Sequence, residues 1–225
     1  MPVSEARGPG QRAGLPRLPR LDGLYVIVGG EDPVAQAAAA LEGGARVVQV
    51  RMKTAPAGAV LEATRRVVAL AAGRALVIVN DRADLALLSG ADGVHLGDED
   101  LPVAEARRLL GPTLLVGRTA RTLDEAQAAI AAGADHVGFG PVFGSRSKVL
   151  AVPPRGVAAV AALAAALPAP VVAIGGITQG TIGAVAQAGA ACAAVIEACF
   201  GEGDAAANAA ALAHTFEAGR AGRQP

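Results

Sequence analysis

Aromatic side chains make up only 2% of the 225 residues, and there is no tryptophan. So few rings leave no platform on which unpaired bases could stack. Formal net charge is zero, from 20 basic and 20 acidic residues. No long block carries one sign, which argues against a broad nucleic-acid surface, where Lys and Arg must cluster to displace counterions. Cys192 and Cys199 are the only cysteines. Two are too few for a disulfide framework in a chain this size, and they read as reduced thiols of a cytoplasmic protein. No uninterrupted apolar run reaches the roughly 20 residues that span a bilayer; "ALAAALPAPVVAIGGI" is cut by Pro168 and Pro170. Residues 1–20, "MPVSEARGPGQRAGLPRLPR", have neither the apolar core nor the amphipathic pattern of a targeting signal. They read as a flexible tail ahead of one catalytic domain over 21–225.

What the chain does have is apolar material, 52% of its residues, arranged as short β-type runs between Ala-rich stretches. The strand candidates are "LYVIV" (24–28), "RVVQV" (46–50), "ALVIV" (75–79), "GVHL" (93–96), "LLVG" (114–117), "HVGFG" (136–140), "VVAI" (171–174) and "CAAVI" (192–196). Helix signals lie between them. Asp32-Pro33 suits a cap and first-turn proline, Thr122 with Glu125 suits a capping box, and Gly44, Gly133 and Gly189 suit helix ends. Strands alternating with helices imply parallel pairing with right-handed crossovers. Eight such units fit a compact (β/α)8 TIM barrel; a doubly wound open sheet is the alternative. In a barrel, function collects in the loops beyond the C-terminal ends of the strands.

The polar outliers fall at those ends. In "QVRMK", Gln49, Arg51 and Lys53 occupy alternate positions and so share one face of a strand. Arg offers a planar fork and Lys a point charge, both suited to phosphate oxygens; a solvated strand end is the plainer reading. Asn80-Asp81 follows the third strand, and "GDEDLPV", with Asp100, follows the fourth. Either acid could cap a helix. Together, beside a cationic strand, they match a Mg²⁺ bridged to substrate phosphates. His95 on "GVHL" reads as a packed, hydrogen-bonded histidine rather than a ligand. "GRTART" (117–122) sets hydroxyls and two arginines at the mouth, and "GPVFGSRSK" (140–148) adds Ser145, Ser147 and Lys148, unless it is merely a polar surface loop. In "AIGGI", Gly175 and Gly176 allow close backbone approach, and Thr178 is placed to cap the next helix. Loops after the seventh and eighth strands form the recurrent phosphate cradle of this barrel class. Two anion sites result, one cationic and metal-assisted, one built from backbone amides. Such a barrel looks made to join two phosphorylated small molecules.

"QVRMK", "VNDRADLALLSGADGVHLGDED", "ADHVGFGPVFGSRSK" and "PAPVVAIGGIT", in this order and spacing, resemble the thiamine-phosphate synthase family over roughly Leu24 to Phe200. The resemblance implies a TIM barrel that couples an aminopyrimidine methyl pyrophosphate to a thiazole phosphate, releasing pyrophosphate. It implies that Gln49, Arg51, Lys53 and Asn80 hold the pyrimidine pyrophosphate and that Asp81 and Asp100 bind Mg²⁺. Thr119 stands where the family usually has serine. Ser145 and Ser147 match two threonines that reach the thiazole phosphate, and Lys148 a lysine on the pyrophosphate. Gly176, Ile196 and Glu197 fall where backbone groups bind the thiazole phosphate. The implied catalytic cations are Arg51, Lys53 and Lys148. The chain departs from the pattern at Glu197, commonly serine, at Asp98, often glutamine, and at Arg121, often histidine. A related thiazole tautomerase on the same barrel, to which "GRTART" and the "RGV" at 155–157 lean, is the alternative, as is a silent phosphate-binding barrel. Asn80 with Asp81 and Asp100 favours the synthase. The expected partners are small molecules, with no nucleic acid and no membrane; a homo-oligomer is left open.

Overall fold

The computed structural model describes residues 21–144 and 153–223. Its strands are β1 (Gly23–Val28), β2 (Val47–Val50), β3 (Leu76–Asn80), β4 (Gly93–Leu96), β5 (Leu115–Ala120), β6 (His136–Phe139), β7 (Val171–Ile174) and β8 (Cys192–Val195). All pair in parallel in sequence order, and β8 returns to β1 to close the barrel. The helices are α1 (Pro33–Glu42), α2 (Ala57–Ala71), α3 (Ala83–Ser89), α4 (Val103–Leu110), α5 (Leu123–Ala131), α6 (Gly156–Ala166), α7 (Ile182–Gln187), α8 (Glu197–Phe200) and α9 (Ala205–Ala221). The fold is the TIM barrel, not the open sheet. The tail read over 1–20 lies outside the described residues.

Local chemistry sets the boundaries. Asp32 Oδ1 accepts from the Ala35 N–H at 2.9 Å and caps α1, with Pro33 in its first turn. Thr122 Oγ1 accepts from the Glu125 N–H, but Glu125 returns its carboxylate to the N–H of Arg121, one residue earlier than a capping box requires. Thr178 is not the cap expected of it: α7 begins after Thr181, whose hydroxyl accepts from the Thr178 N–H at 2.9 Å.

Alternation along each strand separates two cores. Outward residues such as Val26, Val48, Val77, Leu96 and Val137 meet the helices. Tyr25, Ile27, Val47, Leu76, Ile78, Val172, Cys192 and Ala194 fill the interior. In a chain so poor in rings, two imidazoles complete that filling. His95 and His136 stack with centroids 5.7 Å apart, in room left by glycines. A Cβ on Gly117 would lie 2.1 Å from His136 Nε2, and one on Gly138 would lie 2.8 Å from His95 Cε1.

At the end opposite the mouth, a cavity of about 570 Å³ is lined by Leu21, Asp22, Arg220 and Arg223 among others. Asp22 pairs there with Arg46 at 3.1 Å and Arg220 at 3.6 Å.

Candidate active site

β2 stops at Val50, so of the three residues predicted to share a strand face only Gln49 lies in the strand; Arg51 follows it directly and Lys53 stands in the next turn. Gln49 points into the barrel, is 3% exposed, and donates from Nε2 to the Tyr25 hydroxyl at 2.8 Å. Burial pushes the Tyr25 phenol well above its ordinary pKa, so it stays neutral and fixes the amide. Arg51 is held at the strand end by its N–H, which donates to Val28 O at 2.8 Å. Its side chain is exposed at the mouth.

Lys53 Nζ lies 3.3 Å from Asp81 Oδ2. Asp81 immediately follows β3 with φ +65°, a left-handed conformation that carries strain for a residue with a Cβ. Its N–H donates to His95 O at 2.8 Å. Asp81 is not a helix cap, since α3 starts after Arg82. Burial raises the Asp81 carboxyl above the usual carboxylate range, the adjoining Asp100 carboxyl raises it further, and Lys53 opposes both. Asp100 does not cap α4, which begins after Pro102; its Oδ2 accepts from the Gly97 N–H at 2.6 Å. Asn80, the last residue of β3, takes the inward parity of Leu76 and Ile78 and aligns with His95. Three strand ends thus bring Gln49, Arg51, Lys53, Asn80, Asp81 and Asp100 around one side of the mouth.

β5 runs to Ala120 rather than Gly117, because Thr119 and Ala120 continue the ladder opposite Gly138 and Phe139. Thr119 therefore sits inside the strand, with Oγ1 3.0 Å from His95 Nε2. Burial, aided by Arg118, lowers the His95 pKa to about 4, so the ring is neutral at neutral pH. His136 beneath it is lower still, at about 3, and neither of its ring nitrogens has a hydrogen-bond partner. Tyr25 and His136 escaped the sequence reading. Both lie inside the barrel, as Gln49 does.

Gly176, Ile196 and Glu197 end β7 and β8, across the barrel from β3 and β4. Gly175 and Gly176 have φ +99° and +65°. A Cβ on Gly176 would lie 2.4 Å from Gly144 O, so the pair also admits the backbone that leaves β6. Ile196 precedes α8 and Glu197 opens it, both exposed. Ser145, Ser147 and Lys148 lie outside the described residues.

The Asp81–Asp100 pair could hold a cation: two acids adjoin despite their repulsion, with one lysine, Lys53, alongside among the described residues. No trio of His, Cys, Asp or Glu side chains gathers around a metal position among the described residues. A pair suffices for Mg²⁺, which keeps several waters and is held by one or two carboxylates plus substrate phosphates.

Comparison with known proteins shows the family. A thiamine-phosphate synthase of Anaeromyxobacter dehalogenans is 72% identical over 224 residues, covering 99% of this chain and 98% of that one. The Myxococcus xanthus thiamine-phosphate synthase is 48% identical over 190 residues, 84% of this chain and 87% of its own. The solved thiamine phosphate pyrophosphorylase from Pyrococcus furiosus superposes with a TM-score of 0.81 at 34% identity, covering 90% of this chain and 99% of that one. Residues 24–199 match the family described as Thiamine monophosphate synthase, and the chain belongs to it.

Proposed function

We propose that the mouth joins an aminopyrimidine methyl pyrophosphate to a thiazole phosphate, giving thiamine phosphate and pyrophosphate. The chain is a transferase of thiamine biosynthesis. The observation that carries the site assignment is the convergence of Lys53 on Asp81 beside Asp100, with Arg51 two residues before Lys53. Gln49, braced by Tyr25, and Asn80 orient the pyrimidine; Thr119 offers it a hydroxyl. Arg51, Lys53 and Lys148 hold the pyrophosphate and stabilise the charge that grows on it as the carbon–oxygen bond breaks. The electron pair leaves with the pyrophosphate while the pyrimidine amino group donates to the exocyclic methylene. The thiazole nitrogen then forms the new carbon–nitrogen bond, so no deprotonated protein nucleophile is needed. Ser145, Ser147 and the backbone at Gly176, Ile196 and Glu197 hold the thiazole phosphate.

Asp81 and Asp100 would hold Mg²⁺. The ion would supply Lewis-acid neutralisation of the leaving group. Two unpaired, buried cysteines fit a reducing, cytoplasmic setting. No described helix is long and apolar enough to cross a membrane.

Incubation with both precursors, with and without Mg²⁺, tests this reading by product identification. Thiamine phosphate and pyrophosphate should form only with both substrates and the metal. Isomerisation of a thiazole phosphate without pyrimidine or metal would move the assignment to the tautomerase.

A further inference from the structure

Arg118 breaks the pattern of its strand. Its neighbours of the same outward parity, Val116 and Ala120, are wholly buried against the helices, as are Leu96 and Val137, its register partners on either side. A guanidinium in such a layer is costly unless its donors are satisfied. Here they turn up to the β4–α4 loop. Arg118 Nη1 donates to Gly97 O, and Nη2 lies 3.4 Å from Asp98 Oδ1. Asp98 is bound in turn by Arg121, just beyond the same strand.

Gly97 is the pivot of that loop. Its N–H donates to Asp100 Oδ2 at 2.6 Å, and its carbonyl accepts both from the Asp100 N–H at 3.3 Å and from Arg118. Asp100 is thus fastened to one residue, which Arg118 fastens to β5. Asp98 and Arg121 supply the second tie.

We propose that Arg118, with Asp98 and Arg121, is a positioning residue that sets the direction of the Asp100 carboxylate and thereby the affinity of the acidic pair for a divalent cation. The proposal rests on the reading of Asp81 and Asp100 as metal ligands. It also explains two departures noted in the sequence: Asp98 and Arg121 differ from the usual residues as an interacting pair, each supplying the other's charge partner.

The test is Mn²⁺ binding in the presence of inorganic pyrophosphate, followed by electron paramagnetic resonance of the free ion, so that turnover is not the readout. Arg118→Met should weaken binding about tenfold, the usual scale for residues that orient metal ligands. Arg118→Lys, which keeps a donor for Gly97 O, should recover part of the loss. Wild-type affinity in a folded Arg118→Met protein overturns the proposal. Should that variant lose its native circular dichroism, Asp98→Asn carries the test: weaker binding supports the strut, and unchanged binding overturns it. Asp100→Asn separates the two levels. If it binds Mn²⁺ as wild type does, the metal reading falls and the strut with it. If it binds poorly while Arg118→Met binds normally, the strut alone falls.

Discussion

At the closed end of the barrel, Arg107 donates to the carbonyls of Gly111, Leu114 and Gly133 and meets Asp135 at 2.5 Å. Asp135 accepts from the Val116 N–H as well, at 2.8 Å. At the mouth, Asp81 and Asp100 adjoin in a partly buried place, one of them with a positive φ. The same residue types do opposite things. Below, the two opposite charges meet each other and between them engage four backbone groups, which offset their desolvation. Above, like charges are kept together at a cost to the fold, a pattern that marks sites where a ligand supplies what is missing.

Substitutions at the two ends should therefore separate activity from stability. The largest effect belongs to Asp81→Ala and Asp100→Ala, each expected to lower Mg²⁺-dependent pyrophosphate release about 10²–10³-fold while urea melts stay near wild type. Undiminished turnover in both variants would erase the contrast. Arg107→Met should do the reverse, costing about 2–4 kcal/mol in urea unfolding with kcat per folded molecule unchanged.

The His136 pKa is depressed from 6.5 to about 3, so the unfolded chain takes up the proton first. Its stabilising contribution is complete above the unfolded value of 6.5 and is lost as pH falls towards 3, at roughly 1.4 kcal/mol per pH unit. His136→Leu should flatten the acid limb of stability against pH by that slope. The smallest change in stability belongs to Asp81→Gly, which accepts the left-handed backbone and removes the acid facing Asp100. It should gain about 0.5–1 kcal/mol in thermal or urea melts while losing activity. A net loss of stability would mean that the Lys53 contact outweighs the strain.

The eight strands were legible because short β-branched runs between Ala-rich helices leave little choice of period. GVHL and VVAI match their strands residue for residue. The strand 5 boundary was not, since nothing in "GRTART" distinguishes a ladder continued by register partners from a loop. Within the candidate site, the acids and cations stood out against an apolar chain. Capping and ligation, however, call for the same residue types at the same strand ends, and only the backbone could separate them: α3 and α4 start two and three residues beyond Asp81 and Asp100. Tyr25 and His136 were hidden by the opposite problem, as single inward residues within apolar strands. The Arg118 strut was hidden because it joins residues 20 and 21 positions away.

The described chain enters beside Leu21 and leaves beside Arg223, both lining the same cavity on the closed side, where Asp22 and Arg220 meet. Entry and exit are thus next-door neighbours, a full barrel height from the chemistry. A covalent bridge between them would be short, and new ends could be opened in an outer loop without changing any strand's neighbours. A companion protein joined directly at Leu21 or Arg223 would start beneath the barrel, on the side away from the mouth.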